Sequence, residues 1–291
     1  MNIYFVLIVQ LLTASATHVI AKAATGNVDP VMLTFLRSLV ATSGLLVLLY
    51  IRGHKIHIRR EDYKRFMLLG IISIPMNQFF YLYGVKFSTA ANGALLFAST
   101  PTFVLIASAI MGLEKITKKK FLGVAIAFIG VMIVVFERGV DLSSDFAVGN
   151  LFMLGSVFAW VIYTLAGKSL IIQYGALRTT AVVAFIGAIL FFPFGILKSL
   201  SYDFTQMTLG DIGGVIYLGL GTSIISYFLW YYALGKIDAT KVAVFANGQP
   251  IVATILSILF LDYSITTTFV IGGCITLLGV VTTQLASRKI I

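Results

Sequence analysis

The sequence predicts an all-α polytopic membrane protein in which ten transmembrane helices form two inverted five-helix repeats around a central cavity. Three observations lead to this prediction: the composition, the lengths of the apolar runs and an internal repeat. Apolar residues make up 59% of the 291 residues and charged residues only 11%, whereas soluble domains have about 25% charged residues. Such a chain cannot cover itself with a polar surface, so a lipid bilayer is its expected surrounding.

A bilayer core of roughly 30 Å is crossed by about 20 apolar residues in a helix. Ten runs of this length are present, joined by links too short for a soluble domain. They cover residues 3–24, 30–51, 64–85, 88–111, 119–137, 147–170, 176–197, 210–234, 239–261 and 266–286. The first run has no basic start and no convincing cleavage site, so we interpret it as a retained span and not as a signal peptide.

The internal repeat relates residues 81–131 to residues 230–280 by a shift of 149 positions without a gap. The matching pairs include Tyr83 and Tyr232, Ala90 and Ala239, Pro101 and Pro250, Ser108 and Ser257, Gly123 and Gly272, and Gly130 and Gly279. Two Gly-rich apolar segments can align by chance, but prolines and glycines in register favour a true repeat. We therefore predict five-span repeats at residues 1–140 and 141–291. Because five is an odd number, the second repeat enters the membrane from the opposite face.

The positions of Lys and Arg predict the orientation. Ten spans place both termini on one side, and that side carries 16 of the 21 Lys and Arg residues, six of them in residues 52–65. The opposite side carries four, and Arg37 lies inside the second span. The excess places both termini in the cytoplasm of a cell (inner) membrane. The net charge of +10 then reflects topology and contact with anionic lipid, and we expect no nucleic-acid partner.

Several stretches carry a family resemblance. They are residues 90–96 (Ala-Ala-Asn-Gly-Ala-Leu-Leu), 99–103 (Ser-Thr-Pro-Thr-Phe), 112–117 (Gly-Leu-Glu-Lys-Ile-Thr) and 121–131, a looser second copy with residues 249–252, Asp262 and residues 272–279, and the early positions Lys22, Pro30 and Arg37. This chain resembles the EamA-like family of the drug/metabolite transporter (DMT) superfamily over nearly its whole length. The resemblance implies ten helices around a central cavity, and export or exchange of small metabolites such as amino acids. Two turns depart from the family pattern, at Leu113-Glu114 and at Asp262.

Polar groups inside a membrane are expensive, so each is a candidate for function. In the first span, Ser15, His18 and Lys22 share one helical face. His18 and Lys22 could meet an anionic group of a solute. The alternatives are a helix–helix hydrogen bond for His18 and snorkelling to the outer interface for Lys22. We interpret Arg37 as a structural or gating residue, in an ion pair or as a donor to carbonyls.

A polar residue followed one turn later by a large aromatic residue recurs in three spans. The sets are Asn77 with Tyr81, Ser226 with Trp230, and Ser156 with Trp160 and Tyr163. Tyr and Trp usually form belts at membrane interfaces, but these aromatic residues lie inside their spans. Aromatic walls with sparse polar groups suit an amphipathic organic solute. We therefore expect this set to line the cavity.

The ninth span contains Asn247, Gln249 and Pro250 near its middle. A proline leaves a carbonyl about one turn earlier without its helical donor. This segment is either a plain kink or a hinge whose Asn247 and Gln249 bind the solute. Pro75 and Pro101 are the corresponding structural or gating positions in the first half.

All eleven Asp and Glu residues fall at span ends or in links. A coupled antiporter usually has a carboxylate inside the membrane, so we expect facilitated export or exchange, with proton coupling through His18 as the second option. The sequence has no phosphate loop, metal-ligand cluster or Ser/His/Asp arrangement, which argues against an enzyme, a nucleotide-driven pump, a cofactor or a metal.

These observations predict a secondary transporter that exports or exchanges small amphipathic metabolites, amino acids first of all, by alternating access. The alternative is a multidrug exporter of lipophilic cations. An exporter of cations normally requires a buried carboxylate that binds the cation. Both repeats are fused in one chain, so a monomer in the lipid bilayer contains the full inverted pair.

Overall fold

The computed structural model describes residues 3–53, 57–111, 117–136, 144–237 and 242–287, whose regular structure is helical. In chain order the helices are α1 (Ile3–Asn27), α2 (Pro30–Ile51), α3 (Arg60–Phe87), α4 (Ala90–Ile110), α5 (Lys118–Val135), α6 (Asp145–Tyr174), α7 (Ala176–Ser199), α8 (Leu209–Leu234), α9 (Phe245–Leu261) and α10 (Thr267–Ser287). Each overlaps one of the ten predicted spans. The Leu113-Glu114 turn lies outside the described residues.

Seven of these helices, α1 to α4 and α6 to α8, are long and apolar enough to cross a membrane. The apolar helical stretches Phe245–Leu261 of α9 and Thr267–Thr283 of α10 are shorter, and α5 begins with three lysines. Length and composition thus support a multi-pass membrane protein, while the count of ten spans stays a prediction. Large apolar side chains such as Tyr50, Phe260 and Leu278 are exposed, and many polar ones are buried. This distribution fits a chain surrounded by lipid, since lipid does not penalise exposed apolar groups.

Two of the long helices change their hydrogen-bonding pattern in the middle. In α3 the residues Ile72–Gln78 form a π-helix that contains Pro75, and in α8 the residues Tyr217–Ser226 form another. Such π segments are rare and are often found at functional sites. Proline explains the first, because it lacks the donor of an α-helical turn. The second contains no proline, and the sequence analysis did not predict it.

Helices α4 and α9 are interrupted just before a proline. In α4 the helical segments Ala90–Ala98 and Thr100–Ile110 are separated at Ser99, and Pro101 lies in the first turn of the second segment. In α9 a 3₁₀ turn precedes Gln249–Leu261, and Pro250 lies in the first turn of that segment. Proline suits the first turn because no intrahelical donor is needed there. The two prolines are 149 residues apart, as in the repeat.

Hydrogen bonds give the relative directions of the inner helices. From α1 to α3, His18 pairs with Tyr81 and Lys22 with the Val85 carbonyl; from α1 to α8, Gln10 pairs with Ser226 and Thr17 with Thr222. Later residues of α1 therefore meet later residues of α3 but earlier residues of α8. It follows that α3 is parallel to α1 and that α8 is antiparallel to both.

Helices α5 and α10 cross at glycines that permit backbone contact. A Cβ atom on Gly279 would overlap the Ala127 backbone and would lie 2.7 Å from the Gly123 carbonyl oxygen. A Cβ atom on Gly130 would overlap the Thr276 backbone and would lie 2.7 Å from the Gly272 carbonyl oxygen. Small residues at such crossings let membrane helices approach closely. Earlier residues of α5 contact later residues of α10, so the two helices are antiparallel.

Candidate functional site

A central cavity lies between α1, α2, α3, α4, α6, α8 and α9. Its volume, counted as the space that accepts the centre of a water molecule, is about 60 Å³. Its wall consists of Gln10, Ala14, Thr17, His18, Arg37, Asn77, Gln78, Tyr81, Phe97, Trp160, Thr222, Ser226, Tyr227, Trp230 and Gln249. Ligand sites in proteins are mostly apolar, with a few placed polar groups. This cavity has that character.

His18 joins three helices at the cavity wall. Its Nδ1 atom lies 2.6 Å from the Tyr81 hydroxyl on α3, and its Nε2 atom lies 3.0 Å from Gln249 Oε1 on α9. Because an amide oxygen only accepts, Nε2 of the neutral ring donates to Gln249, and Nδ1 accepts from Tyr81. The sequence analysis weighed a helix–helix hydrogen bond against cavity lining for His18, and the side chain does both.

The polar side chains of α3 and α8 meet across the cavity. Asn77 Nδ2 donates to the Ser156 carbonyl and hydroxyl oxygens at 2.9 and 3.0 Å, and the Tyr227 hydroxyl donates to Asn77 Oδ1 at 2.8 Å. Ser226 accepts a 3.3 Å hydrogen bond from Gln10 Nε2. These bonds fix the amides and hydroxyls in place, so the polar part of the wall is preorganised.

Aromatic rings cover the side of the cavity formed by α6 and α8. The Trp160 ring centroid lies 5.3 Å from that of Trp230 and 4.8 Å from that of Tyr227. Trp230 is fully buried, and its indole Nε1 donates to the Thr164 hydroxyl at 3.2 Å. Tyr163 stacks on Trp160 from behind, with centroids 5.3 Å apart. The wall is therefore both apolar and rigid.

Arg37 brings the one formal charge among the described lining residues. Its side chain is 2% exposed, and its Nη2 atom donates to the Ser223 hydroxyl at 2.9 Å. The Nε atom has no hydrogen-bond partner. From the sequence, Arg37 was expected to be structural or gating, in an ion pair or as a donor to carbonyls. The described residues provide neither partner, because the bond goes to a hydroxyl.

Three predicted binding residues lie outside the cavity wall, namely Lys22, Tyr163 and Asn247. Lys22 Nζ donates to the Val85 and Lys86 carbonyl oxygens at 3.1 and 2.9 Å, and the side chain lines a separate space near Asp262. Tyr163 supports Trp160, as described above. Asn247 belongs to the 3₁₀ turn before Gln249, and only the glutamine of that pair faces the cavity. The other seven predicted binding residues line it, so their proposed contact with a solute is sterically available.

Five polar residues of the cavity wall were not predicted from the sequence, namely Gln10, Thr17, Gln78, Thr222 and Tyr227. On α1 the lining residues are Gln10, Ala14, Thr17 and His18, and Ser15 instead bonds back to the Leu11 carbonyl. The spacing of Gln10, Thr17 and His18 was a readable signal, since such residues share a helical face. Gln78 and Tyr227 directly follow Asn77 and Ser226, at the ends of the two π segments, which the sequence did not predict.

Two buried aspartates connect the halves at opposite ends of the bundle. Asp62, at the start of α3, accepts hydrogen bonds from the Tyr174 hydroxyl at 2.6 Å and from Gln173 Nε2 at 3.1 Å, both at the end of α6. Asp211, at the start of α8, lies 3.4 Å from Asn27 Nδ2 at the end of α1. We name these the Asp62 contact and the Asp211 contact. The two aspartates are 149 residues apart, and each meets the end of the other half's first helix.

Comparisons with known proteins agree with this architecture. The sequence profile described as the EamA-like transporter family matches residues 1–136 and again residues 147–284. The Bacillus subtilis (strain 168) protein described as uncharacterized transporter YyaM is 28% identical over 286 residues, covering 97% of this chain and 93% of that protein. An uncharacterized transporter of Archaeoglobus fulgidus is 29% identical over 258 residues, covering 87% of each.

A solved crystal structure of a protein with 18% sequence identity has a TM-score of 0.69 and covers 98% of both chains. At that identity the likeness concerns the fold alone. The family match spans nearly the whole sequence in two consecutive copies. The multi-pass helical fold, the cavity between the helices and this double match agree, and the chain belongs to the EamA-like transporter family.

Proposed function

We propose that this protein is a secondary transporter that exports or exchanges small amphipathic metabolites, with amino acids as the first class, by alternating access. The observation that carries the proposal is the composition of the central cavity. Its wall combines aromatic rings with amides and hydroxyls, and it takes residues from both halves of the chain. Asn77 and Ser226, like Tyr81 and Trp230, are related by the 149-residue shift and face the same space.

Helix directions support an inverted arrangement of the repeats 1–140 and 141–291. Helix α3 runs against its counterpart α8, and α5 runs against its counterpart α10. In the second pair the glycine contacts are also symmetric, because exchanging the two helices maps the Gly123–Gly279 contact onto the Gly130–Gly272 contact. We infer ten spans with both termini in the cytoplasm of the cell (inner) membrane, as the Lys and Arg distribution favours.

Alternating access requires that one end of the cavity be closed while the other opens. The Asp62 contact and the Asp211 contact lie at the two ends and occupy equivalent positions in the repeats. In this structure the Asp62 contact has bonds of 2.6 and 3.1 Å, whereas Asp211 and Asn27 lie 3.4 Å apart. We infer that each contact closes its own end, and that the cytoplasmic end is the more tightly closed here.

The charge of the cavity favours amino acids over the alternative substrates, lipophilic cations. A site for a cation needs a carboxylate or another concentration of negative charge. Among the described lining residues there is no Asp or Glu, and Arg37 adds a positive charge. The aromatic rings could still attract a cation through their faces. A zwitterion with an apolar body satisfies the rings and the guanidinium together.

Counterflow in proteoliposomes tests the proposed function. Vesicles loaded with one unlabelled solute are placed in a trace of the same solute in labelled form, across a panel of amino acids, nucleosides and cationic dyes. We expect transient accumulation of apolar amino acids and none of the dyes. Accumulation of dyes alone would reverse the order of the two substrate hypotheses, and accumulation of nothing in the panel would refute transport of these classes.

Removing the imidazole of His18 tests proton coupling. Both ring nitrogens are hydrogen-bonded to neutral partners, so the ring has a structural task that needs no proton exchange. We expect His18→Ala to weaken solute affinity by roughly ten-fold, the effect of one or two lost hydrogen bonds. The pH dependence of efflux should match that of the unaltered protein. A pH profile that flattens in both His18→Ala and His18→Gln, neither of which has a side chain that titrates in this range, would make proton coupling through His18 the better hypothesis.

We further infer that transport needs no cofactor, metal or nucleic acid and that one chain suffices. Both halves of the cavity come from one polypeptide, and so a monomer contains the whole site. Its partners are then the solute and the lipid bilayer.

A further inference from the structure

The Arg37 side chain is a buried positive charge without a negative partner. It is 2% exposed, and no Asp or Glu oxygen lies within 4.0 Å of it in the described part of the chain. Of its five N–H donors, one donates a hydrogen bond to the Ser223 hydroxyl. The Nε donor has no hydrogen-bond partner. The Tyr227 hydroxyl also faces the guanidinium. Two hydroxyls do not compensate a full charge.

An uncompensated charge of this kind is expensive. A guanidinium keeps its charge in proteins, and burial of an ion is tolerable when an opposite charge and further hydrogen bonds accompany it. A residue with a purely structural task would be served by a neutral donor of similar length. Arg37 belongs to the wall of the cavity, so an anion in the cavity would lie next to its side chain.

The same cavity contains buried acceptors without donors. The side-chain oxygens of Gln10 and Gln78 have no hydrogen-bond partner, and these residues are only 2% and 5% exposed. A buried carbonyl oxygen left unpaired also destabilises the protein. An ammonium group has three donors and no acceptor, and it therefore suits this pair. The unpaired donor matches a carboxylate and the unpaired acceptors match an ammonium group, so the cavity suits a zwitterion that carries both.

We propose that the guanidinium of Arg37, held in place by its hydrogen bond to Ser223, is an anion site that binds the carboxylate of the transported solute, with the Gln10 and Gln78 oxygens facing its ammonium group. The guanidinium offers a planar fork that matches a carboxylate, and Nε is one of the two donors of that fork. This inference rests on the proposed function and sharpens it, because a free carboxylate becomes a requirement for transport. The aromatic rings of Trp160 and Trp230 then contact the apolar body.

The first test compares four probes that differ only in charged groups: L-phenylalanine, L-phenylalaninamide, 3-phenylpropionate and phenethylamine. We measure competition with amino-acid counterflow and thermal stabilisation of the purified, full-length protein in detergent. L-phenylalanine should bind best, and the two probes without a carboxylate should bind on the order of 100-fold more weakly, as for a buried charged hydrogen bond that loses one partner. Equal binding of L-phenylalaninamide and L-phenylalanine overturns the anion site.

The second test uses variants. Arg37→Met removes the charge at similar length, and Arg37→Lys keeps the charge but loses the fork. Without solute, Arg37→Met should melt at the same or a higher temperature than the unaltered protein, because an uncompensated charge is gone, and it should no longer distinguish L-phenylalanine from its amide. Arg37→Lys should retain part of the distinction. Arg178→Met is the matched control: Arg178 Nε also lacks a partner, but Arg178 lies outside the cavity wall.

The outcomes separate the two proposals. If Arg37→Met lowers the melting temperature and leaves probe discrimination intact, Arg37 is a structural residue and the anion site is wrong. If counterflow detects no solute but carboxylate probes stabilise the unaltered protein and not Arg37→Met, the anion site stands while the proposed function fails. If no carboxylate probe stabilises the protein, the anion site fails as well.

Discussion

Replacing Asp62 with asparagine is expected to open the cavity toward the cytoplasm. The side chain keeps its shape but loses the charge that strengthens its hydrogen bonds from Tyr174 and Gln173. Charged hydrogen bonds are roughly twice as strong as neutral ones, so about 1–2 kcal/mol is lost and the ratio of the two access states changes about 5- to 30-fold. Asp211→Asn should act in the opposite direction.

Cavity access is measured with a single reporter cysteine. Ala14→Cys in a Cys274→Ser background places a thiol in the cavity wall, and a membrane-impermeant thiol reagent is added to either side of proteoliposomes. Asp62→Asn should speed labelling from the cytoplasmic side, and Asp211→Asn from the outer side. If both variants speed labelling from the same side, the two contacts do not close opposite ends.

Asp203→Asn is the matched control for this experiment. Asp203 lies just before α8 and accepts hydrogen bonds from Thr205 and Gln206, which are its near neighbours in sequence. The Thr205 hydroxyl bond lowers the pKa of this carboxyl below its usual value, so the substitution also removes a negative charge at neutral pH. Because Asp203 joins no two helices, its loss should leave labelling from both sides unchanged.

Gly279→Ala is expected to destabilise the folded protein by about 3 kcal/mol, the upper end of the usual range for overpacking. The added methyl group would overlap the Ala127 backbone, which cannot rotate away as a side chain can. Helices α5 and α10 would have to separate along their whole crossing. The measurement is the fraction of purified protein that stays monodisperse after heating in detergent.

Gly273→Ala, on the same helix, provides the comparison. There the new methyl group would lie 3.4 Å from a Leu95 side-chain carbon, an ordinary contact. Alanine is also the better helix former by about 1 kcal/mol, so this variant should be as stable as the unaltered protein or more so. Equal losses in the two variants would mean that the glycine crossing of α5 and α10 does not hold these helices together.

The positions of the helices could be predicted from the sequence because each helix corresponds to an apolar run of about the length that crosses a bilayer. The faces of the helices were harder to predict. In a membrane helix the side toward lipid and the side toward protein are both apolar, so hydrophobic periodicity hardly distinguishes them. For α3 and α8 the recurring polar–aromatic pairs compensated, and Asn77, Tyr81, Ser226 and Trp230 do line the cavity.

For α1 the predicted cavity-facing side was displaced by one residue from the observed one. The prediction therefore included Lys22, which lies outside the cavity wall, and omitted Gln10 and Thr17, which belong to it. The partners of a buried charge are also invisible in one sequence. Arg37 was expected to have an ionic or carbonyl partner, but Ser223, 186 positions away, holds it. Only the packed structure brings such residues together.

The π segments of α3 and α8 have one more consequence. A π turn bonds residue i to residue i+5, so each segment contains a surplus residue relative to an α-helix of equal height. Asn77 and Gln78 lie at the end of the first segment, and Ser226 and Tyr227 at the end of the second, and all four line the cavity. Deleting a single residue from either segment would straighten the helix and rotate everything beyond it, which would turn half of that helix's solute-facing groups toward lipid.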